Sequence, residues 1–152
     1  MKDSDYMKIA LQLAEKGSGF TAPNPMVGAV IVKDEKIIGE GWHQKYGEAH
    51  AERNALAQCV EDPAGAVMYV TLEPCCHQGK QPPCVDAIIE AGIKRVVIGS
   101  EDPNPLVRGK GIKILKEHGI AVTEHVLSEE CRQLNEVFFH FIQTKRPFVV
   151  MK

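Results

Sequence analysis

The chain has no apolar run long enough to cross a bilayer. A membrane-spanning helix needs about 20 consecutive apolar residues, and no stretch of the 152 approaches that length. It has no excess of one charge either: 18 Lys and Arg stand against 20 Asp and Glu, a formal net charge of −2. That excludes the broad basic field by which proteins hold nucleic acid, but not a small anion held by a few local cations. The opening residues Met1-Lys2-Asp3-Ser4-Asp5 are polar and lack the apolar centre of a secretion signal. No internal repeat, low-complexity tract or flexible linker is present. With 44% hydrophobic and 25% charged residues, the expectation is one cytoplasmic globular domain with room for a proper core, bound neither to membrane nor to nucleic acid.

The pattern of apolar residues divides the chain into alternating elements. Met7, Ala10, Leu11 and Ala14 recur at helical spacing, which predicts a helix from Asp3 to Lys16 ended by Gly17 and Gly19. Thr21-Ala22-Pro23-Asn24-Pro25 cannot be regular structure, because each proline restricts itself and its predecessor. Val27 to Val32 reads as a buried strand, Asp34-Glu35 as a turn and Lys36 to Trp42 as the returning strand of an antiparallel hairpin. A helix is expected over Glu48 to Cys59, a strand over Val67 to Thr71, and a helix over Cys84 to Ala91 with Gly92 as its stop. Arg95 to Gly99 and Ile120 to Glu124 read as strands around a helix from Leu106 to His118. Strand and helix alternate from residue 67 onward, which implies parallel neighbours with right-handed crossovers. The predicted fold is α/β, a three-layer α/β/α sandwich around a mixed five-stranded sheet. A last helix from Ser128 to about Thr144 carries Leu134, Val137, Phe138 and Phe141 on one side, and Phe148 to Met151 begins a further strand.

Five cysteines are present, at 59, 75, 76, 84 and 131, and three of them crowd into one loop beside histidines. In a reducing compartment that crowding favours metal ligation over disulfides. His50-Ala51-Glu52, Pro74-Cys75 and Pro83-Cys84 supply one imidazole and two thiolates, three ligands for zinc with the fourth tetrahedral position left for water. Helix N-termini, where His50 and Cys84 are expected, favour thiolate over thiol. Zinc lowers the pKa of its bound water to about 7, and Glu52 is placed to take the water's proton and pass it to a substrate ring and a leaving amine. Adjacent cysteines point in different directions, so only one of Cys75 and Cys76 ligates, and the preceding Pro74 favours Cys75. Cys59 and Cys131 read as packing residues on helices.

H-x-E followed by P-C and a further cysteine is the signature of zinc-dependent nucleobase deaminases. His50-Ala51-Glu52, Thr71-Leu72-Glu73-Pro74-Cys75, Pro82-Pro83-Cys84 and Asp102-Pro103-Asn104-Pro105 resemble, more closely, the deaminase domain of the bifunctional riboflavin-biosynthesis family, from about Asp5 to Phe148. The eight residues between Cys75 and Cys84 are the most specific element, since cytidine, deoxycytidylate and tRNA-adenosine deaminases usually have two. Gln81 stands where that family usually has threonine.

The resemblance implies a cytidine-deaminase-like fold and one zinc per chain on His50, Cys75 and Cys84, with Glu52 as the catalytic residue. Asn24, His43, His77, Lys80, Asp102 and Asn104 would bind a small phosphorylated pyrimidine. The implied reaction is hydrolytic deamination of 2,5-diamino-6-ribosylamino-4(3H)-pyrimidinone 5′-phosphate, by an enzyme that self-associates into a homo-oligomer. It also implies that residues 1–145 form the deaminase domain and that 146–152 open a following reductase domain, to which NADPH would belong. Two rivals stand beside this reading. One is a nucleotide or tRNA deaminase of the same fold. The other is a zinc-stabilised binding module without catalysis, which would favour a fourth protein ligand and have no use for Glu52.

Overall fold

The computed structural model describes residues 2–17, 25–44, 49–75, 83–102 and 108–135. The hairpin forms as expected. β1 (Gly28–Lys33) and β2 (Lys36–Trp42) pair antiparallel, with a register shift between Ile31 and Val32. Asp34 and Glu35 both take positive φ, 51° and 63°, the backbone twist that two-residue hairpin turns require. β3 (Val67–Leu72) pairs antiparallel with β1 on one side and parallel with β4 (Arg95–Ser100) on the other. β5 (Ala121–Thr123) extends the parallel part, so the sheet order is β2-β1-β3-β4-β5. This is the mixed five-stranded sheet that the alternation of elements implied.

Both faces of the sheet are covered, which is why its central strands are apolar throughout rather than alternating. Val30, Val32, Tyr69 and Val97 point to one side and pack with Tyr6, Met7, Ala10 and Leu13 of α1 (Asp3–Glu15) and Cys131 of α5 (Ser128–Leu134). Ala29, Ile31, Met68, Val70, Val96 and Ile98 point to the other side. There they meet Ala51 and Ala55 of α2 (Ala51–Ala57), Val85 and Ile88 of α3 (Cys84–Ala91), and Ile112 and Leu115 of α4 (Lys110–Glu117). The three layers are therefore α1 and α5, the sheet, and α2, α3 and α4. Gly92 ends α3 in the left-handed region, φ 78°, where a side chain would be strained.

Most strand and helix ends fall within a residue of the expectation, and the larger departures are at helix boundaries. α2 begins at Ala51, and His50 is its extended N-cap (φ −75°, ψ 168°) rather than a helical residue. Cys59 lies beyond the end of α2, because the chain turns after Gln58 to let the Val60 N–H donate to the Ile38 carbonyl at 2.9 Å. α4 begins at Lys110 after a left-handed Gly109, and its expected start at Leu106 lies outside the described residues. α5 is described to Leu134, and the remainder of the expected last helix and the strand after it lie outside the described residues. Cys131 is buried against the sheet, as expected of a packing residue.

Candidate metal centre and its surroundings

The topology brings three chain segments to one edge of the sheet. Ligands in α/β sheets gather at the carboxyl ends of parallel strands, beside a point where strand order reverses; here β3 leaves its parallel partner β4 for antiparallel β1. Cys75 follows the carboxyl end of β3, Cys84 opens α3, and His50 caps α2. One nitrogen and two sulfurs meet there, all within 4.8 Å of one another. His50 Nδ1 lies 3.3 Å from Cys84 Sγ and 3.7 Å from Cys75 Sγ. A tetrahedral zinc, with bonds of about 2.0–2.1 Å to nitrogen and about 2.3 Å to sulfur, would hold such ligand atoms about 3.6 Å apart. The observed separations bracket that value, so the donor set fits zinc in both chemistry and spacing.

The local electrostatics prepare the site for a cation. The Cys75 thiol is pulled down to about 4, chiefly by a hydrogen bond from Cys84, with His50 and the Cys84 backbone N–H adding to it against the opposing effect of burial. That backbone N–H donates to Cys75 Sγ at 3.2 Å. Cys84 shifts the other way, far above the ordinary thiol range, because its hydrogen bond to Cys75 and its burial both favour the protonated form. His50 is raised, mainly by its hydrogen bond with Cys75. Metal binding displaces such ligand protons.

Glu52 lies in the first turn of α2, two residues after His50, and is 3% exposed. Burial pushes its carboxyl up to about 7, and the Cys75 charge adds to that push, while hydrogen bonds from its own backbone N–H and from Cys84 pull it back. The carboxyl group thus lies beside the candidate metal ligands and out of solvent.

Surrounding side chains hold these segments in place. Asn54 donates from Nδ2 to the carbonyls of Trp42, at 2.8 Å, and Ala49, at 3.2 Å, which ties the start of α2 to the end of β2. Arg53 donates from Nη2 to the Pro83 carbonyl at 3.2 Å, joining α2 to the residue before Cys84. His43 is buried, only 2% exposed, with its ring edge-on to His50 at 5.1 Å and Nδ1 3.2 Å from the Ala49 carbonyl. The resemblance implied a substrate-binding role for His43, and the structure places its ring against that of His50. Asp102 follows β4, and its backbone N–H donates to Glu73 Oε1 at 3.1 Å. Asn24, His77, Lys80 and Asn104 lie outside the described residues, as does Cys76.

Residues 1–100 match the family described as the cytidine and deoxycytidylate deaminase zinc-binding region. The chain belongs to this deaminase family. Among curated relatives of this deaminase, the riboflavin biosynthesis protein RibD of Actinobacillus pleuropneumoniae is 59% identical over 152 residues, covering 100% of this chain and 40% of that protein. The diaminohydroxyphosphoribosylamino-pyrimidine deaminase of Buchnera aphidicola (subspecies Schizaphis graminum) is 52% identical over 147 residues, covering 97% of this chain and 100% of that protein. The solved RibD of Acinetobacter baumannii superposes with a TM-score of 0.94 at 48% identity, over 96% of this chain and 41% of that one. The deaminase chain thus spans about two fifths of the length of its RibD relatives.

Sequence reasoning singled out the candidate metal ligands and Glu52 but passed over Glu73, Asn54 and Arg53. Glu73 stood within the quoted Thr71–Cys75 string, and its one signal was a carboxylate at the end of an otherwise apolar strand. The others carried none, since their partners are backbone groups that only the fold brings near.

Proposed function

We propose that the chain hydrolyses 2,5-diamino-6-ribosylamino-4(3H)-pyrimidinone 5′-phosphate to 5-amino-6-(5-phosphoribosylamino)uracil and ammonia. The carrying observation is a three-ligand nitrogen-and-sulfur cluster with a buried carboxylate against it. Among the described residues three side chains meet as donors, which leaves a coordination position for water where a structural site would have a fourth side chain. Two relatives named for this deaminase, both matched over their whole length, support the choice of substrate.

In this reading His50, Cys75 and Cys84 hold zinc, which when bound supplies hydroxide from water at neutral pH. The substrate's amino-bearing C2 is flanked by two nitrogens and resists neutral water, so proton delivery is needed as well as a nucleophile. Glu52 accepts a proton from the attacking water and hands it to the adjacent ring nitrogen. It then carries the second proton to the departing amine, so that oxygen remains on C2 as a carbonyl and nitrogen leaves as ammonia. Burial keeps bulk water from intercepting these protons. Asn24, His43, His77, Lys80, Asp102 and Asn104 would bind the substrate, with Lys80 on the phosphate. The same reading makes the enzyme cytoplasmic and homo-oligomeric.

The test is ammonia release by zinc-loaded protein from a panel of aminopyrimidine ribotides, cytidine, deoxycytidylate and tRNA. Turnover confined to the diaminopyrimidinone phosphate is expected. Preference for deoxycytidylate, or for tRNA with steep salt sensitivity, would replace the substrate assignment. Zinc binding with no turnover of any of them would leave a binding module.

A further inference from the structure

Glu73 is only 6% exposed, and the reaction just described makes no use of it. It lies between the last residue of β3 and Cys75, and its own backbone N–H donates to the carbonyl of Ser100, the last residue of β4, at 2.8 Å. Its carboxylate accepts three backbone N–H groups. Oε1 takes those of Asp102 and Gly109, each at 3.1 Å, and Oε2 takes that of Gly111 at 3.0 Å. Among the described residues no Lys or Arg forms an ion pair with it.

Those three donors identify what the carboxylate does. The first N–H groups of a helix lack partners within it and are normally satisfied by a side chain at the N-cap. The N-cap of α4 is Gly109, which has no side chain to offer. Glu73, from 36 and 38 residues earlier in the chain, supplies the missing acceptor, and its charge is favourable at the helix N-terminus. The packing is equally close. A Cβ added at Gly111 would run into the Pro74 carbonyl and come within 3.3 Å of Glu73 Oε2. One side chain therefore binds the residue after β4 and the start of α4 to the segment that runs into the metal ligand Cys75.

We infer that Glu73 is a positioning residue that holds Asp102 and the start of α4 in register with the metal centre, and so sets the substrate-binding residue Asp102 against the reacting groups. The inference rests on the proposed function in one respect, that Asp102 contacts substrate. Glu73 stands outside the three-donor cluster and acts through the backbone it holds. Loosening it weakens substrate binding and leaves the metal ligands in place, because displacement of a binding group by about 1 Å is enough to lose alignment.

The experiment compares zinc-loaded parent, Glu73→Gln and Glu73→Ala proteins by zinc content, amide hydrogen exchange and steady-state ammonia release. Gln keeps one acceptor oxygen and turns its NH2 toward the remaining backbone donors, so its effect is the milder. Both variants are expected to keep one zinc per chain. Exchange at Asp102, Gly109 and Gly111 should accelerate about tenfold or more relative to the β1 and β3 amides. KM should rise about tenfold in the Gln variant and further in the Ala variant, with kcat within about threefold of the parent. Should the Ala variant fail to fold, the Gln variant decides. Unchanged exchange at those amides overturns the inference, and so does zinc loss, or a kcat loss without a KM change. If the parent itself releases no ammonia from the panel, the functional reading falls, and exchange with zinc content still decides whether Glu73 holds these segments together.

Discussion

Glu52→Gln separates proton transfer from metal binding more cleanly than any other change in this site. The amide is nearly isosteric with the acid and occupies the same buried position, 3% exposed, so the backbone of α2 and the three ligands stay where they are. The amide cannot carry a proton, and burial leaves no bulk water to replace it. General acid–base catalysis contributes about 10²–10⁴ in rate, so kcat should fall by that factor, or about 3–5 kcal/mol of barrier. Zinc content should remain one per chain.

The same substitution has a stability signature of known sign in metal-stripped protein. The Glu52 carboxyl is raised from 4.5 to about 7 on folding. A carboxyl with a raised folded pKa destabilises the fold as pH climbs from its unfolded value, and the penalty is complete above the folded one. The interval of 7 − 4.5 corresponds to an upper bound of roughly 3 kcal/mol. Glu52→Gln relieves it, so the stripped variant should melt above the stripped parent at pH 8, by up to about 6–12 °C, and level with it near pH 4. Thermal denaturation at the two pH values, metal analysis and ammonia release provide the readouts. Parent-rate turnover by the variant refutes the proton-carrier role, and a stripped variant that melts below its parent at pH 8 refutes the burial argument.

Other expectations concern single contacts. Cys84→Ser keeps the size of the side chain at the start of α3 but replaces a thiolate with a poor zinc ligand; zinc per chain should drop well below one and activity with it, as metal analysis and ammonia release will show. Asn135→Ala removes two 2.7 Å hydrogen bonds, in which Asn135 accepts from the Met26 N–H and donates to the Met26 carbonyl, and leaves both backbone groups without that partner. The expected cost is about 2–4 kcal/mol, measured by urea denaturation at constant slope. Asp3 accepts from Arg95 Nη2 at 2.7 Å and from the Tyr69 hydroxyl at 2.8 Å, and the Arg95 bond holds its carboxyl below the ordinary range. A lowered folded pKa gives stability that is complete above the unfolded value and is lost as pH falls through the folded one. Asp3→Asn should therefore weaken the protein by no more than about 1 kcal/mol at pH 7, and the difference should vanish in acid denaturation once the pH has fallen through the lowered folded value. A gap that persists there would show that the carboxylate charge is not its source.

The fold was readable because its cause is local. Val27 to Val32 and Val67 to Thr71 are apolar at nearly every position, which suits strands covered on both faces, and the Asp34-Glu35 turn between Val32 and Lys36 leaves room only for a hairpin. The candidate metal ligands were legible because residue type and spacing carry the chemistry: a histidine two positions before a glutamate, and cysteines each preceded by proline. Boundaries were less legible. Whether His50 belongs to α2 or caps it depends on one ψ angle, and the end of α2 depends on a hydrogen bond between Val60 and Ile38.

Composition and spacing alone established the layered α/β architecture and the nitrogen-and-sulfur donor set, because periodicity and ligand chemistry are properties of neighbouring residues. Folding alone decided that His43 is buried edge-on to His50, that Asn135 grips Met26 across 109 residues, and that Glu73 caps a helix from another part of the chain. Each of these joins a side chain to distant backbone or to a distant ring. A hydrogen bond needs its partners within about 3 Å, a distance that position in the chain does not express.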